Sequence, residues 1–210
     1  MKKKAVTACF LFFLALLAAE NFILAAEERI LAGQVAPDGN GPLPVAGWTE
    51  SVSPYYYRLA PDLAVIFYAG YDQKYLYLGF RVEDAFLTFN DDFSLDFQGS
   101  DHLRVRFYPG GETEPPVTLY LLPSSKIKEP LLNIQGAAWR QPSMNVHSFS
   151  TPGGYFLAVA IELANFQFSS RLREIPLQIM VNEVNKEGKV KTYSLFGSGP
   201  DDYGTLVLSR

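Results

Sequence analysis

An all-β fold, an antiparallel β-sandwich, is what this sequence predicts. Three observations carry the prediction. Apolar and polar residues alternate with a period of two in short segments, the pattern of strands with one face in a core. Turn formers punctuate the chain between those segments, with 16 glycines and 14 prolines among 210 residues. No stretch keeps apolar residues at helical spacing for more than about two turns. Short strands at regular intervals favour a sandwich over an open sheet. An open α+β sheet is the competing architecture, and only Leu163–Leu172 offers it a short helix.

The elements follow in order. Lys2, Lys3 and Lys4 precede an apolar run from Ala5 to Ala19, with small residues at Ala18–Ala19 and Ala25–Ala26. That is the pattern of a secretory signal peptide over 1–26, cleaved after Ala26 or, as second choice, after Ala19. The run is too short for a bilayer span of roughly 20 residues. Residues 27–46, with "APDGNGPLP", read as a flexible lead, and 47–210 as one domain opened by Trp48. Leu63–Tyr68 is apolar and rich in β formers. In Tyr75–Val82, Tyr75, Tyr77, Gly79 and Arg81 share one face and Leu76, Leu78, Phe80 and Val82 the other. Leu103–Tyr108 alternates again, with Arg104 and Arg106 outward. Val117–Leu122 and Tyr155–Leu163 are further runs. Ile175–Val184 turns through "NKEGK" (Asn185–Lys189) into Val190–Leu195, and Gly204–Leu208 closes the chain.

Charge and cysteine usage exclude several functions. Removing residues 1–26 takes away three lysines and one glutamate, so the net charge of −4 becomes −6. That sign disfavours nucleic acid and anionic membrane as partners. Cys9, the only cysteine, lies inside the expected signal, so the mature chain has no disulfide and no thiol chemistry. Cysteine-free export suits a bacterial periplasm or cell surface. Two histidines, no mature cysteine and no G-x-S-x-G motif leave little for an enzyme, and no catalytic residues are assigned.

Several segments together carry a resemblance. "YDQKYLYLGFRVED" (Tyr71–Asp84) precedes "GSDHLRVRFYP" (Gly99–Pro109). "GGYFLAVAIEL" (Gly153–Leu163), "IPLQIMVNEVNKEG" (Ile175–Gly188) and "YGTLVL" (Tyr203–Leu208) follow, and "DGNGPLPVAGW" (Asp38–Trp48) comes before them all. In this order they resemble family 9 carbohydrate-binding modules over nearly the whole mature chain. The resemblance implies an immunoglobulin-like, jelly-roll-like β-sandwich that binds sugar ends. It also implies structural calcium and association with glycoside hydrolases in carbohydrate breakdown. Arg104 stands where the family carries Glu in its G-D-x-V-E-V strand. Ala158 replaces the Glu of G-Y-x-x-E, and Glu162 the Pro after A-I. The family grips sugar between tryptophans, whereas the loop Ala85–Ser100 has none and carries Phe86, Phe89, Phe93 and Phe97 instead. Phe196 is the aromatic nearest the second tryptophan place.

The candidate ligand residues are therefore Phe86, Phe89, Phe93, Trp139 and Phe196 as stacking rings, with Arg104 donating to hydroxyls. Phenylalanines in a loop also read as a folded-back core. The acidic loop supplies Asp84, Asp91, Asp92, Asp96 and Asp101 as candidate calcium ligands, since calcium takes six to eight oxygens. It is not an EF-hand: Phe97 stands where Gly is required and Leu103 where the bidentate Glu belongs. Solvated turn and cap roles are the plain alternative. The expected function is exported, non-catalytic saccharide binding. The different-class alternative is an envelope structural or adaptor protein, with a protein partner, that kept the sandwich and lost the sugar site. A haem-b-binding relative is a third idea. Met144 and His147 lie three apart, and on one strand they cannot face the same iron. His102 and Met180 are the other possible haem ligands.

Overall fold

The computed structural model describes residues 28–36, 45–91, 99–108, 115–125, 131–135, 144–166, 173–197 and 202–208. The strands are β1 (Arg29–Gln34), β2 (Tyr55–Arg58), β3 (Leu63–Tyr71), β4 (Tyr75–Asp84), β5 (His102–Phe107) and β6 (Val117–Leu122). Then follow β7 (Leu131–Gln135), β8 (Met144–Thr151), β9 (Gly154–Glu162), β10 (Glu174–Val184), β11 (Val190–Ser194) and β12 (Gly204–Leu208). A five-residue helix, α1 (Val45–Thr49), lies between β1 and β2, and a 3₁₀ turn spans Leu163–Asn165.

The strands form one curled sheet in the order β7-β6-β5-β10-β12-β1-β3-β4-β9-β8, with β11 added on β10 and β2 on β3. The curl makes two facing halves, and β1 is the seam between them. Its Arg29–Ala32 pair with β12 and its Gly33–Gln34 with β3. Both pairings are parallel, which departs from the all-antiparallel expectation. The lead expected to be flexible over 27–46 thus contains the strand that joins the halves. Ile30 and Ala32 point into the core from it, so their burial holds the seam.

The period-two alternation explains the core. Val65, Phe67 and Ala69 of β3, Leu76, Leu78, Phe80 and Val82 of β4, and Leu157, Val159 and Ile161 of β9 face inward from one half. Leu103, Val105, Phe107, Leu119, Leu177, Ile179 and Val181 face them from the other. Each such valine, leucine, isoleucine or phenylalanine contributes about 1.5–3 kcal/mol over its exposed state. Phe67 and Phe80 stack with centroids 5.2 Å apart. Tyr55 and Tyr57 of β2 close the edge of this core while Tyr56 faces solvent. The β3–β4 turn is held by Asp72, as its place before the alternating strand predicts. One carboxylate oxygen accepts the N–H of Lys74 at 2.7 Å and of Tyr75 at 2.6 Å. The other accepts the Tyr77 hydroxyl at 2.7 Å.

A second apolar layer covers the outside of β3, β4 and β9. Trp48 of α1 packs there with Val35, Val52, Tyr75, Tyr77, Phe156, Ala158 and Ala160. Gly79 makes room for it, since a Cβ would lie 3.0 Å from Trp48 Cη2 and 3.1 Å from Phe156 Cζ. Both faces of β4 are therefore buried from Tyr75 to Phe80. Gly154 has less room still: a Cβ there would lie 1.9 Å from the Val82 carbonyl oxygen. Gly154→Ala is expected to cost about 1–3 kcal/mol through forced separation of β4 and β9. An unchanged urea midpoint would contradict this. Strands β7 and β8 went unrecognised in the sequence because β8, "MNVHSFST", has no sustained alternation of its own. Pairing with the buried strand β9 along Met144–Thr151 orders it.

Candidate functional site

Inward-facing Leu103, Val105 and Phe107 force His102, Arg104 and Arg106 to the outer face of β5. Strand register then decides what surrounds them. Arg104 stands opposite Met180 on β10 and Tyr120 on β6. Arg106 stands opposite Gln178 and Thr118, and His102 opposite Asn182. Beyond β10, Thr192 and Ser194 of β11 extend the face. The result is a polar outer face whose Gln178, Asn182, His102 and Thr118 are all buried.

Part of this polarity is satisfied internally. Thr192 Oγ1 donates to Asn182 Oδ1 at 2.7 Å, and Gln178 Nε2 donates to the Asp202 carbonyl at 3.2 Å. His102 Nδ1 lies 3.0 Å from the Ser100 carbonyl, which can only accept, so that nitrogen carries the proton. Burial first, and then the Arg104 charge, hold the imidazole below its ordinary pKa, against the Ser100 carbonyl. Arg104 Nη2 rests against Met180 Sδ. Three donors are left over. Among the described residues, Arg104 Nε, Arg106 Nε and Asn182 Nδ2 are withdrawn from solvent and have no acceptor. Such a donor costs about 1–3 kcal/mol, which an incoming acceptor would recover.

A second constellation sits inside the sandwich, at the end where these strands meet the 85–91 segment. Asp101 accepts the N–H of Thr88 at 2.7 Å on one oxygen and of Val184 at 2.8 Å on the other. Asp84 accepts the N–H of Phe86 at 2.8 Å. Both acids are buried, as is Glu183. Burial pushes Asp84 up to about 6; the Phe86 N–H opposes this, while Glu183 and Asp62 add to it. Burial likewise pushes Asp101 up to about 7, against its two backbone bonds and with help from Asp84 and Glu183. Among the described residues the Tyr155 hydroxyl and Glu183 Oε2, both buried, have no hydrogen-bond partner. Burial, Asp101 and Asp84 together raise the Tyr155 pKa well above its ordinary value.

The structure separates the residues expected to form one site. Arg104 lies on the polar face. Phe86 is half-buried under Lys186 Nζ, 4.0 Å from the ring centroid. Phe89 packs against the core, edge-on to Tyr155 at 6.4 Å. Phe196 is a correction: it is 0% exposed and edge-on to Tyr57 at 6.1 Å, so it is core and offers no stacking face. The short turn after β11 folds it inward. Phe93 and Trp139 lie outside the described residues.

Among the expected metal ligands, Asp91 accepts from Ser124 Oγ at 3.0 Å and the Ser125 N–H at 2.9 Å, and so ties its segment to the end of β6. Asp92 and Asp96 lie outside the described residues. Among the described residues no group of three or more histidine, cysteine, aspartate or glutamate side chains is arranged to hold a metal ion. The described members of the set, Asp84, Asp91 and Asp101, do not fit calcium by themselves: they form no three-acid group, and each already accepts a backbone N–H.

Arg106, Asn182 and Gln178 escaped sequence reasoning. Alternation places Arg106 outside, but only strand pairing shows that β10 brings Gln178 beside it and Asn182 beside His102 on the same face.

No protein-family model and no curated protein matches the chain. Among solved structures, it is similar to a family 9 carbohydrate-binding module from Caldicellulosiruptor kristjanssonii in complex with cellotriose. The TM-score is 0.63 at 15% identity, over 87% of this chain and 94% of that one. The glucose complex of a family 9 module from that organism gives a TM-score of 0.61 at 15% identity, over 87% and 96%. A Bacteroides uniformis protein proposed to bind carbohydrate gives 0.58 at 11% identity, over 88% and 100%. The chain therefore has the sandwich fold of the family 9 carbohydrate-binding modules.

Proposed function

We propose that the protein is a non-catalytic carbohydrate-binding domain, exported to the periplasm or cell surface, that holds a saccharide on the outer face of β5, β10 and β6. The three donors without acceptors, Arg104 Nε, Arg106 Nε and Asn182 Nδ2, carry this reading. Sugar hydroxyls and ring oxygens are acceptors, and they would meet donors that the fold leaves unpaired. The fold supports the same ligand class, since structures sharing it hold glucose and cellotriose. Tyr120, partly exposed and opposite Arg104, is the described ring on this face.

Affinity electrophoresis of residues 27–210 in gels containing soluble polysaccharides tests the reading. Retardation by at least one polysaccharide is expected. Asn182→Ala is expected to weaken binding about tenfold, the equivalent of one hydrogen bond of about 1.4 kcal/mol. A wild-type protein retarded by no polysaccharide would favour the second reading, an envelope adaptor that has lost the sugar site. One observation supports that alternative: Phe196 and Phe89 are packed on the core and cannot form an aromatic clamp.

A further inference from the structure

We propose that the saccharide is acidic, a sugar bearing a carboxylate or sulfate group that Arg104 and Arg106 grip together. The inference rests on the saccharide reading above and narrows it to a ligand class. Arg104 and Arg106 are two residues apart on one face of β5, about 7 Å along the strand. Every described neighbour across from them is neutral: Met180 and Gln178 on one side, Tyr120 and Thr118 on the other. The next row out, Ser194 beyond Met180 and Gln135 beyond Thr118, is neutral too.

Other arginines are treated differently. Arg29 pairs with Glu174, Arg81 with Glu83, and Arg58 donates to the carbonyls of Ala60 and Pro61. The chain as a whole has 22 acids against 18 lysines and arginines, so the lack of acids around two arginines among the described residues is not a consequence of composition. Among the described residues neither Arg104 nor Arg106 has an ion-pair partner, and both Nε atoms lack any hydrogen-bond acceptor.

The guanidinium edge formed by Nε–H and one Nη–H is the edge that accepts a carboxylate in two parallel bonds. A hydroxyl fills one of those bonds and leaves the charge uncompensated. An anionic group fills both and neutralises it. Partial burial strengthens the choice, because the attraction is screened less there than at an open surface. Tyr120, beside Arg104, offers a ring with a polar tip to the adjacent sugar face.

The test compares oligogalacturonate with its methyl ester, the same backbone without the charge, by titration calorimetry on residues 27–210 at 50 mM and 300 mM salt. Dextran sulfate against dextran is the sulfate arm, and cello-oligosaccharide the neutral reference. At low salt, at least one acidic ligand is expected to bind ten times or more tightly than its uncharged counterpart, with the gap narrowing at high salt. Preference confined to one arm assigns the anion as carboxylate or sulfate. Arg104→Lys with Arg106→Lys keeps the charge but removes the fork, and is expected to lose most of a carboxylate preference. Arg104→Gln with Arg106→Gln is expected to abolish preference in either arm, with thermal midpoints confirming that both variants fold. Equal affinity for charged and uncharged partners, or a preference that survives the glutamine variant, would overturn the inference. If cello-oligosaccharide binds as well as any acid, saccharide binding stands and the acidic ligand does not. If no ligand binds at either salt concentration, both fail.

Discussion

Trp48→Ala is expected to destabilise the protein by about 3–5 kcal/mol, as deleting a large buried aromatic side chain does. Trp48 is 2% exposed and sits on a helix of five residues that cannot be stable by itself. Its ring lies 5.5 Å from that of Tyr77 and covers Gly79 and Gly70. Those glycines have no side chains with which to fill the space an alanine would leave. The outer faces of β3, β4 and β9 would then expose Tyr77 and Phe156 to water. Urea unfolding followed by circular dichroism measures the loss. A shift of less than about 1 kcal/mol would mean that the outer apolar layer does not depend on α1, and would contradict the packing described here.

Stability is expected to fall as the pH rises from about 5 to about 8. Asp84 and Asp101 are both raised from 3.8, to about 6 and about 7, and burial is the leading cause for each. A raised carboxyl holds its proton more tightly in the folded protein than in the unfolded chain. Its stabilising contribution is complete below about pH 4 and disappears as the pH climbs through the folded-state value. For Asp101 the rise from 3.8 to about 7 corresponds to on the order of 4 kcal/mol across that range. Glu183 and Asp62 act on Asp84, and Asp84 and Glu183 act on Asp101, all negative, so ionisation meets repulsion as well as burial. Asp84→Asn keeps an oxygen for the Phe86 N–H and removes one charge. It is expected to raise the urea midpoint at pH 8 and to flatten the pH profile. A wild-type midpoint that is flat, or rises, between pH 5 and pH 8 would sink this account.

The strands that could be read beforehand are those with one clear buried face. In Tyr75–Val82 and Leu103–Tyr108 the alternation alone shows which side chains point inward, because a strand's side chains have a period of two. Strands β1, β7 and β8 lack that signal. β1 is short and divides between two partners, Arg29–Ala32 with β12 and Gly33–Gln34 with β3, while β8 is ordered by its neighbour β9. The candidate site was legible only in Arg104. The loop phenylalanines drew attention because aromatic side chains suit sugars, but Phe89 and Phe196 answer to the core, where burying a large apolar side chain is worth more than displaying it. The acids clustered in its loop make Asp101 a candidate metal ligand in the sequence; what only the structure shows is that its two oxygens accept the N–H groups of Thr88 and Val184.

Taken by itself, the order of residues determines that this is an all-β chain with inward and outward faces, that Asp72 makes a turn, and that Trp48 is core. Those are local properties, set by side-chain periodicity and by the hydrogen bonds a residue makes with its near neighbours. Only the tertiary structure decides that β1 runs parallel to both its partners. It alone sets Asn182 beside His102 and Gln178 beside Arg106, and gives the two arginines no acid partner among the described residues. Those depend on which strand lies next to which and in what register. That is settled by how the whole core packs, since a slip of one residue would turn every inward side chain outward.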